Sequence, residues 1–553
     1  MNPYLPKIIR DAERRAELLE INQVSDAQSE QYGGFVEEKH WAQPKSTIYK
    51  LTTLLSLYNT PQSRYYHKPE AMRRIQAALD YVIRFQHEDG TFDYIDCNFH
   101  SAPDTAFCAK RLLPSLDFLE KSRSAPGSEE MFEKISGILY RAAEGIRTGG
   151  FHTPNHRWVI ASVLTACTNR FHEEKFRVRA EEYLREGIDC NRYGEFSERS
   201  SGNYNRINDE AMILLYEETG DRRYLDYAAR NLKMMLSYLE PDGSLFTKNS
   251  TRYDSWNKVY PGDYYFDYLY LAHETEDPGF AAVSNKIMED VLARGDCTTD
   301  CLNRFLIHPE LAEYEPQGCG YPKKSRLANP DSGIVRVRNG GISCTLLSKT
   351  PYFLYFQTGA LFVCARLGII FFDKRSFRPD GIVPEANGYM LAQTMQGWYY
   401  TPFREKPATS DWWKMDNASR EIVTGPDLNL RLQISEEEDG VTLRIHTEGC
   451  ERVPYKIELG VESGCFVKTD GFLCTAQAGG KIVARMGSVE LSKGSDCIKI
   501  GPCFGSHFHI EGKDGANDTD DTLFHIYFTG FTGTDRALHF QKIYSRFTEP
   551  GTL

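Results

Sequence analysis

The spacing of apolar positions changes once along the chain. From residue 1 to about 315 apolar side chains recur at helical intervals, and from about 330 onward they fall in short alternating runs. The segment 47–57 is apolar at helical spacing. Pro69 opens a helix whose Met72, Ile75, Ala78, Leu79, Val82 and Ile83 share one face, and Glu88-Asp89-Gly90 stops it. Further helices are predicted at about 105–119 and 129–146, from Asn155 through Val159, Ile160, Val163, Leu164 and Cys167, and at 174–188, 204–218 and 222–239. A glycine shortly before a phenylalanine punctuates these helices: Gly90-Thr91-Phe92, Gly150-Phe151, Gly194-Glu195-Phe196 and Gly243-Ser244-Leu245-Phe246. The interval is close to one helical hairpin plus its loops. It predicts stacked helix pairs, forming an open solenoid or, as the better fit, a closed (α/α) toroid.

After residue 330 the segment 333–338 alternates, Asn339-Gly340-Gly341 turns, and 342–347 continues as a strand, which is a hairpin signal. Strands are predicted at 361–367, 428–434, 441–446, 456–461, 481–485, 497–500 and 522–528. The fold class that follows is α+β and multidomain. A helical toroid spans 1–315, an antiparallel β-sandwich spans 330–553, and the Pro- and Gly-containing stretch 309–332 links them.

Composition narrows the function classes. At 553 residues the chain exceeds what one core usually serves, and 41% hydrophobic with 26% charged residues is ordinary for a globular protein. A formal charge of −12 argues against nucleic acid and anionic membranes as partners, while a short acidic oligosaccharide in a locally basic pocket remains compatible with it. The 14 cysteines are scattered, several within apolar runs, as free thiols in a reducing compartment are. The close pair Cys297 and Cys301 lacks a second pair or a nearby histidine, so no metal and no cofactor is assigned. Met1–Lys7 runs into a charged helical stretch without an apolar signal core, so a cytoplasmic location is expected. Oligomeric state is left open.

The toroid loops hold polar and aromatic residues at unusual density: 93–100, 149–158, 197–204 and 247–253. Among them Thr153 suits an N-cap and Pro154 the first helical position, placing Asn155 and His156 in the first turn of a helix. There the helix dipole attracts carboxylates and opposes protonation of an imidazole. Asn155 can then hydrogen-bond a substrate carboxylate while His156, held neutral, serves proton transfer at the adjacent carbon. Tyr204 opens the next inner hairpin, where the dipole and a cation such as Arg206 or Arg199 are expected to raise the acidity of its phenol. The plainer reading of all three is first-turn polarity and packing. Glu198 is expected to orient a hydroxyl or Arg199. His100, beside Asp96 and Asp104, is a candidate for the non-reducing sugar; Trp158, Arg206, Arg252, Tyr253 and Trp256 are candidates for charge and stacking.

A helical toroid, an Asn-His pair at a helix start, Glu198-x-Ser200 with Tyr204, and a β-rich second half together resemble the heparinase II/III-like and alginate-lyase-like polysaccharide lyases. The resemblance implies β-elimination on a uronic-acid glycan: the C5 proton leaves, the 4-linked sugar departs, and an unsaturated uronate remains. It implies Asn155 as the group neutralising the carboxylate, His156 as base or carboxylate partner, and Tyr204 as base, acid or both. It also implies a further His or Tyr from the β-domain, for which His507 and His509, read as sharing one face of a strand, or Trp398-Tyr399-Tyr400, are the options. Two rival readings stand beside it. A glycoside hydrolase on the same toroid would use two carboxylates from Asp93, Asp96, Asp104 and Glu198. A non-catalytic carbohydrate-binding protein would need only the aromatic loops.

Overall fold

The structure is a computed structural model and describes residues 1–37, 41–510 and 522–544. It divides into two compact units, one of residues 1–236 and 245–321, the other of residues 237–244 and 322–553.

Thirteen helices are present among the described residues: α1 (Leu5–Asn22), α2 (Pro44–Tyr58), α3 (Pro69–Phe85), α4 (Ala102–Lys121), α5 (Ser128–Thr148), α6 (Pro154–Phe171), α7 (Glu174–Arg185), α8 (Tyr204–Thr219), α9 (Arg222–Tyr238), α10 (Tyr265–Thr275), α11 (Pro278–Arg294), α12 (Leu302–Ile307) and α13 (Pro309–Glu313). Helix α2 packs on α4, α4 on α6, α6 on α8 and α8 on α10, while α12 returns to α2 and α4 and closes the ring. Helices α3, α5, α7 and α11 back this inner ring, each against its neighbour in sequence. The inner helices are accordingly apolar nearly all round: α6 buries Trp158, Val159, Ile160, Val163, Leu164 and Cys167. Proline occupies the first turn of α2, α3, α4, α6 and α11, where its missing N–H is not needed. Gly220 ends α8 at φ +69°, a left-handed cap that glycine adopts freely.

The loop read as 93–100 is a short hairpin, β1 (Phe92–Tyr94) with β2 (Asn98–Ser101), leading into α4. Its entry requires Gly90, at φ +85°, because a Cβ there would lie 1.9 Å from the Arg141 carbonyl oxygen.

The second unit holds two nine-stranded sheets. One runs, edge to edge, through Leu473–Thr475, Phe466–Lys468, Val489–Lys493, Asp496–Gly501, Asp535–Tyr544, Gly440–Glu448, Ile422–Glu437, Gly388–Tyr400 and Ile382–Glu385, all antiparallel. The other runs through Lys481–Val483, Phe524–Phe531, Pro454–Val461, Leu361–Phe371, Tyr352–Thr358, Ile342–Leu347, Ile334–Asn339 and Lys324–Asn329, with Lys374–Ser376 beside Leu361–Phe371. Among the described residues the Lys481–Val483 strand pairs parallel with Phe524–Phe531, and the other strand pairings of this sheet are antiparallel. Leu367, Phe353 and Leu459 of one sheet and Leu391, Leu432 and Leu443 of the other belong to one buried cluster, which makes the pair a β-sandwich. The sheet begins at Lys324, ahead of the expected 330, and residues 309–313 of the expected linker are helical. All 14 cysteines are free, and no helix among the described residues is long and apolar enough to cross a membrane.

On the face of its sheet opposite that apolar cluster, Glu458 is fully buried, 2.8 Å from Arg366 Nη2 and 3.1 Å from His525 Nδ1, with Lys456 Nζ at 3.7 Å. Removing the carboxylate strands buried positive charge. Glu458→Ala is therefore expected to lower unfolding stability by about 3–5 kcal/mol in denaturant titration; a loss under about 1 kcal/mol would show that the cluster is dispensable.

Candidate active site

Each punctuated loop delivers the first turn of an inner helix to one rim of the toroid, and side chains from successive first turns touch one another. Lys45, in the first turn of α2, donates to Asp104 Oδ1 of α4 at 2.7 Å and lies 4.0 Å from the Tyr94 ring centre and 5.5 Å from that of Phe107. Phe107 meets His156 of α6 edge-on at 5.8 Å. Asn155 of α6 bonds Glu198, from the loop before α8, and Glu198 bonds Arg252, from the loop before α10. The Arg252 guanidinium lies 6.0 Å from the ring centre of Tyr204, the first residue of α8, and Tyr253 meets the same ring edge-on at 5.8 Å.

Glu198 organises the middle of this chain of contacts. Its carboxylate, 1% exposed, accepts the Asn155 backbone N–H at 3.2 Å, the Asn155 side-chain amide at 2.9 Å and Arg252 Nε–H at 2.7 Å. Its carbonyl accepts the Thr251 N–H at 3.2 Å. Burial pushes the Glu198 carboxyl up from its ordinary value, while Asn155 and Arg252 pull against that rise. The expected capping is thus corrected. Thr153 stands at the N-cap, but its side chain caps nothing; its Oγ1 accepts the second Asn155 amide hydrogen at 3.0 Å, and Glu198 supplies the cap from another loop. Both amide hydrogens of the fully buried Asn155 point inward, so Asn155 holds Glu198 rather than facing the rim.

His156 is held well below the ordinary imidazole value, at about 4, chiefly by burial, with His152, Lys45 and Arg252 adding to the effect and Asp104 opposing it. Its Nδ1 accepts the His152 backbone N–H at 3.3 Å. The neutral ring therefore carries its proton on Nε2 and presents a donor there.

Tyr204 departs from expectation. Its pKa is pushed up to about 12, by burial first and then by Tyr253 and Glu198, with Arg252 opposing. Burial outweighs the cation and the dipole, and the cation that acts most on it is Arg252. The phenol is protonated at neutral pH, and its hydroxyl has no hydrogen-bond partner among the described residues. Ser200 Oγ accepts the Tyr204 N–H at 3.0 Å and itself donates to the buried Asp254 at 2.9 Å, which fixes the start of α8. Gly202 is required beside it, since a Cβ would come within 2.8 Å of Asp254 Oδ2.

Other expected contacts are relocated. Trp158 is fully buried and donates through Nε1 to Asp189 at 2.7 Å, so it is a core residue of α6. Arg206 pairs with Glu210, which also takes Lys110 at 2.6 Å, and lines a cavity of about 330 Å³ in the middle of the helical ring. His100 is exposed, stacked on His87 at 3.9 Å and paired with Asp89 at 2.8 Å, whereas Asp104 belongs to Lys45. Glu198 and Asp104, the two best-placed carboxylates for a hydrolase, are both buried in these pairings. Tyr253 is 69% exposed, with its hydroxyl accepting from Asn203 Nδ2 at 2.7 Å. In the second unit, 507–509 is not a strand: His507 Nε2 donates to the carbonyls of Tyr455 and Gly530, and Trp398 Nε1 to Asp373.

Lys45, Tyr94, Phe107 and His152 were not legible as site residues. Only the packing of α2 and the β1–β2 hairpin on α4, and of α4 on α6, brings them together. The density of polar and aromatic residues at 93–100 was the one available signal for Tyr94.

No family model matches the chain, and no curated protein matches it in sequence. The fold is similar to solved polysaccharide lyases at low identity. Chondroitin AC lyase of Streptomyces coelicolor A3, solved with chondroitin sulphate, aligns over 99% of this chain and 80% of its own, with TM-score 0.56 and 11% identity. A heparan sulfate lyase mutant from Pedobacter heparinus aligns over 95% and 78%, with TM-score 0.53 and 9% identity. Paenibacillus xanthan lyase aligns over 99% of this chain and 58% of its own, with TM-score 0.58 and 8% identity.

The shifted His156 has a thermodynamic consequence. An unfolded imidazole titrates near about 6.5, so the folded chain, with its group at about 4, takes up that proton later on acidification. Stability falls as pH drops from about 6.5 to about 4 and is indifferent to this group above that window. The difference in thermal midpoint between the wild type and His156→Gln should change across the window and be flat above it; parallel curves throughout would contradict the assignment.

Proposed function

We propose that the helical unit is a lyase that cleaves a uronic-acid-containing glycan by β-elimination, leaving an unsaturated uronate. The observation that carries the reading is the convergence, on one rim, of three donors of different character. Arg252 uses Nε on Glu198 and has its two terminal nitrogens without a partner among the described residues, a fork suited to a carboxylate. The neutral His156 adds an N–H. Tyr204 adds a phenol that keeps its proton until the pH nears about 12.

The chemistry follows from these states. A uronate carboxylate held by Arg252 and His156 accepts the charge that develops when the C5 proton leaves, which lowers the barrier to its removal. The bond from C4 to the departing oxygen then breaks, and that oxygen needs a proton. Tyr204, protonated and without a competing hydrogen bond, supplies it, and the phenol oxygen takes the C5 proton in exchange, so the phenol ends neutral as it began. Asn155 and Glu198 act through Arg252 as positioning residues. The first turns of α2, α4, α6 and α8 aim their positive dipole ends at the same rim, which favours an anionic substrate. Exposed Tyr253 offers a face for a sugar ring. The substrates named for the similar folds, chondroitin sulphate, heparan sulfate and xanthan, suit an acidic glycan here. The chain's charge of −12 favours short acidic oligosaccharides over long polyanions.

Incubation with uronate-containing oligosaccharides is expected to generate the ultraviolet absorbance of a conjugated enoate. Tyr204→Phe should lower its rate of appearance at least about 100-fold, while stability shifts by less than about 1 kcal/mol. Near-native turnover in a folded Tyr204→Phe would remove the proton-donor assignment. Cleavage without any absorbance would favour the hydrolase.

A further inference from the structure

Outside the rim, a second set of side chains converges where the loop after α3 meets the β1–β2 hairpin. His87, Asp93 and His100 each offer a ligand atom, and the three atoms lie within 4.8 Å of one another. We infer that these residues form a binding site for one borderline divalent transition ion, of which zinc is the type, clamping the hairpin to the end of α3.

The donor set is two imidazoles and one carboxylate, which suits zinc with a water completing a tetrahedron. Two observations distinguish the cluster from ordinary surface ion pairs. The first is His87 Nε2. It is shielded from solvent and makes no hydrogen bond, although Asp93 Oδ1 lies 2.9 Å away and accepts the His100 backbone N–H at 2.7 Å. A shielded ring nitrogen without a hydrogen bond is a lone pair or a proton left over.

The second is the layer behind the cluster. Asp89 Oδ2 takes one ring nitrogen of His100 at 2.8 Å and leaves the other with its lone pair, the arrangement that carboxylates impose on metal-bound histidines. Asp89 is itself fixed, its Oδ1 accepting the Thr91 N–H at 2.9 Å and the Thr91 hydroxyl at 2.6 Å. The loop that carries His87 is braced in turn by Arg141, which donates to the His87 carbonyl at 2.8 Å. His100 sits at φ +47°, a left-handed conformation uncommon outside glycine, which brings its ring over His87.

Charge supports a cation. With both imidazoles neutral, Asp89 and Asp93 leave two negative charges, which one divalent ion balances. The two rings stack at 3.9 Å. Ligands of one zinc ion stand about 2.0–2.2 Å from it, so the rings must splay from this stack. His100, with its side chain 57% exposed, has the freedom to turn. The hairpin so clamped carries Tyr94, whose ring underlies Lys45 at the rim.

The test is zinc titration of the chelator-stripped full chain by calorimetry, with thermal midpoint as the second readout. The wild type should bind one equivalent and gain midpoint on zinc addition. His100→Asn, which tolerates the left-handed backbone, and His87→Gln should each weaken binding at least tenfold, on the order expected for a lost ligand. Asp89→Asn should weaken it about 10- to 100-fold. Cys97→Ser, which removes the exposed thiol of the same hairpin, should bind as the wild type does. The inference fails if the wild type shows no zinc-dependent gain, if folded His100→Asn binds like the wild type, or if Cys97→Ser abolishes binding. Should His87→Gln not fold, the exposed His100→Asn decides.

Discussion

A buried carboxylate at the start of a helix governs the rest of the candidate site. Glu198 occupies the positive end of α6, the place an external anion would otherwise take, and holds Asn155 on one side and Arg252 on the other. Three consecutive loops are thereby locked to one another. A buried anion is tolerated only when its lone pairs are met by donors, and here the N-terminal N–H, the Asn155 amide and the Arg252 Nε–H meet them. The arrangement fixes which groups remain for a ligand: the outer nitrogens of Arg252, the Nε2 proton of His156 and the phenol of Tyr204.

Burial then sets the protonation states. The low-polarity rim that packs Phe107 against His156 and Tyr253 against Tyr204 disfavours charge on either group, leaving a neutral imidazole and a neutral phenol side by side with a guanidinium. On the proposed reading, one cation and two neutral donors would receive a carboxylate with a proton donor beside it. Of the four carboxylates named for a hydrolase, Glu198 and Asp104 are each committed to a buried cation pairing.

Most of the architecture was legible in the sequence because it is periodic. Helical spacing, Pro at helix starts and the Gly-Phe punctuation located α2 to α9 to within a few residues, and alternation with Asn339-Gly340-Gly341 located the sandwich. What was not legible depends on pairings far apart in sequence. Glu198 capping α6 across 43 positions cannot be read from Thr153-Pro154-Asn155, and the N-cap rule supplied Thr153 instead. The expected rise in Tyr204 acidity failed because a dipole and a distant cation are weaker than desolvation. Trp158 and Arg206 fell on helical faces turned to the core and to the inner cavity, which helical phase alone separates from the rim only when the ring is closed. Alternating His507 and His509 read as a strand, yet the His507 ring donates to the Tyr455 and Gly530 carbonyls and the His509 N–H donates to His507 Nδ1.

The central claim is that the carbon–oxygen bond is broken by elimination rather than by water. It is tested most directly by cleaving a defined uronate-containing oligosaccharide in isotopically heavy-oxygen water and weighing the products. Elimination adds no water: the new non-reducing end should be one water lighter than the hydrolysis product, unsaturated, and free of solvent oxygen. Products of full hydrolytic mass carrying a heavy oxygen at the cleaved bond would contradict the account.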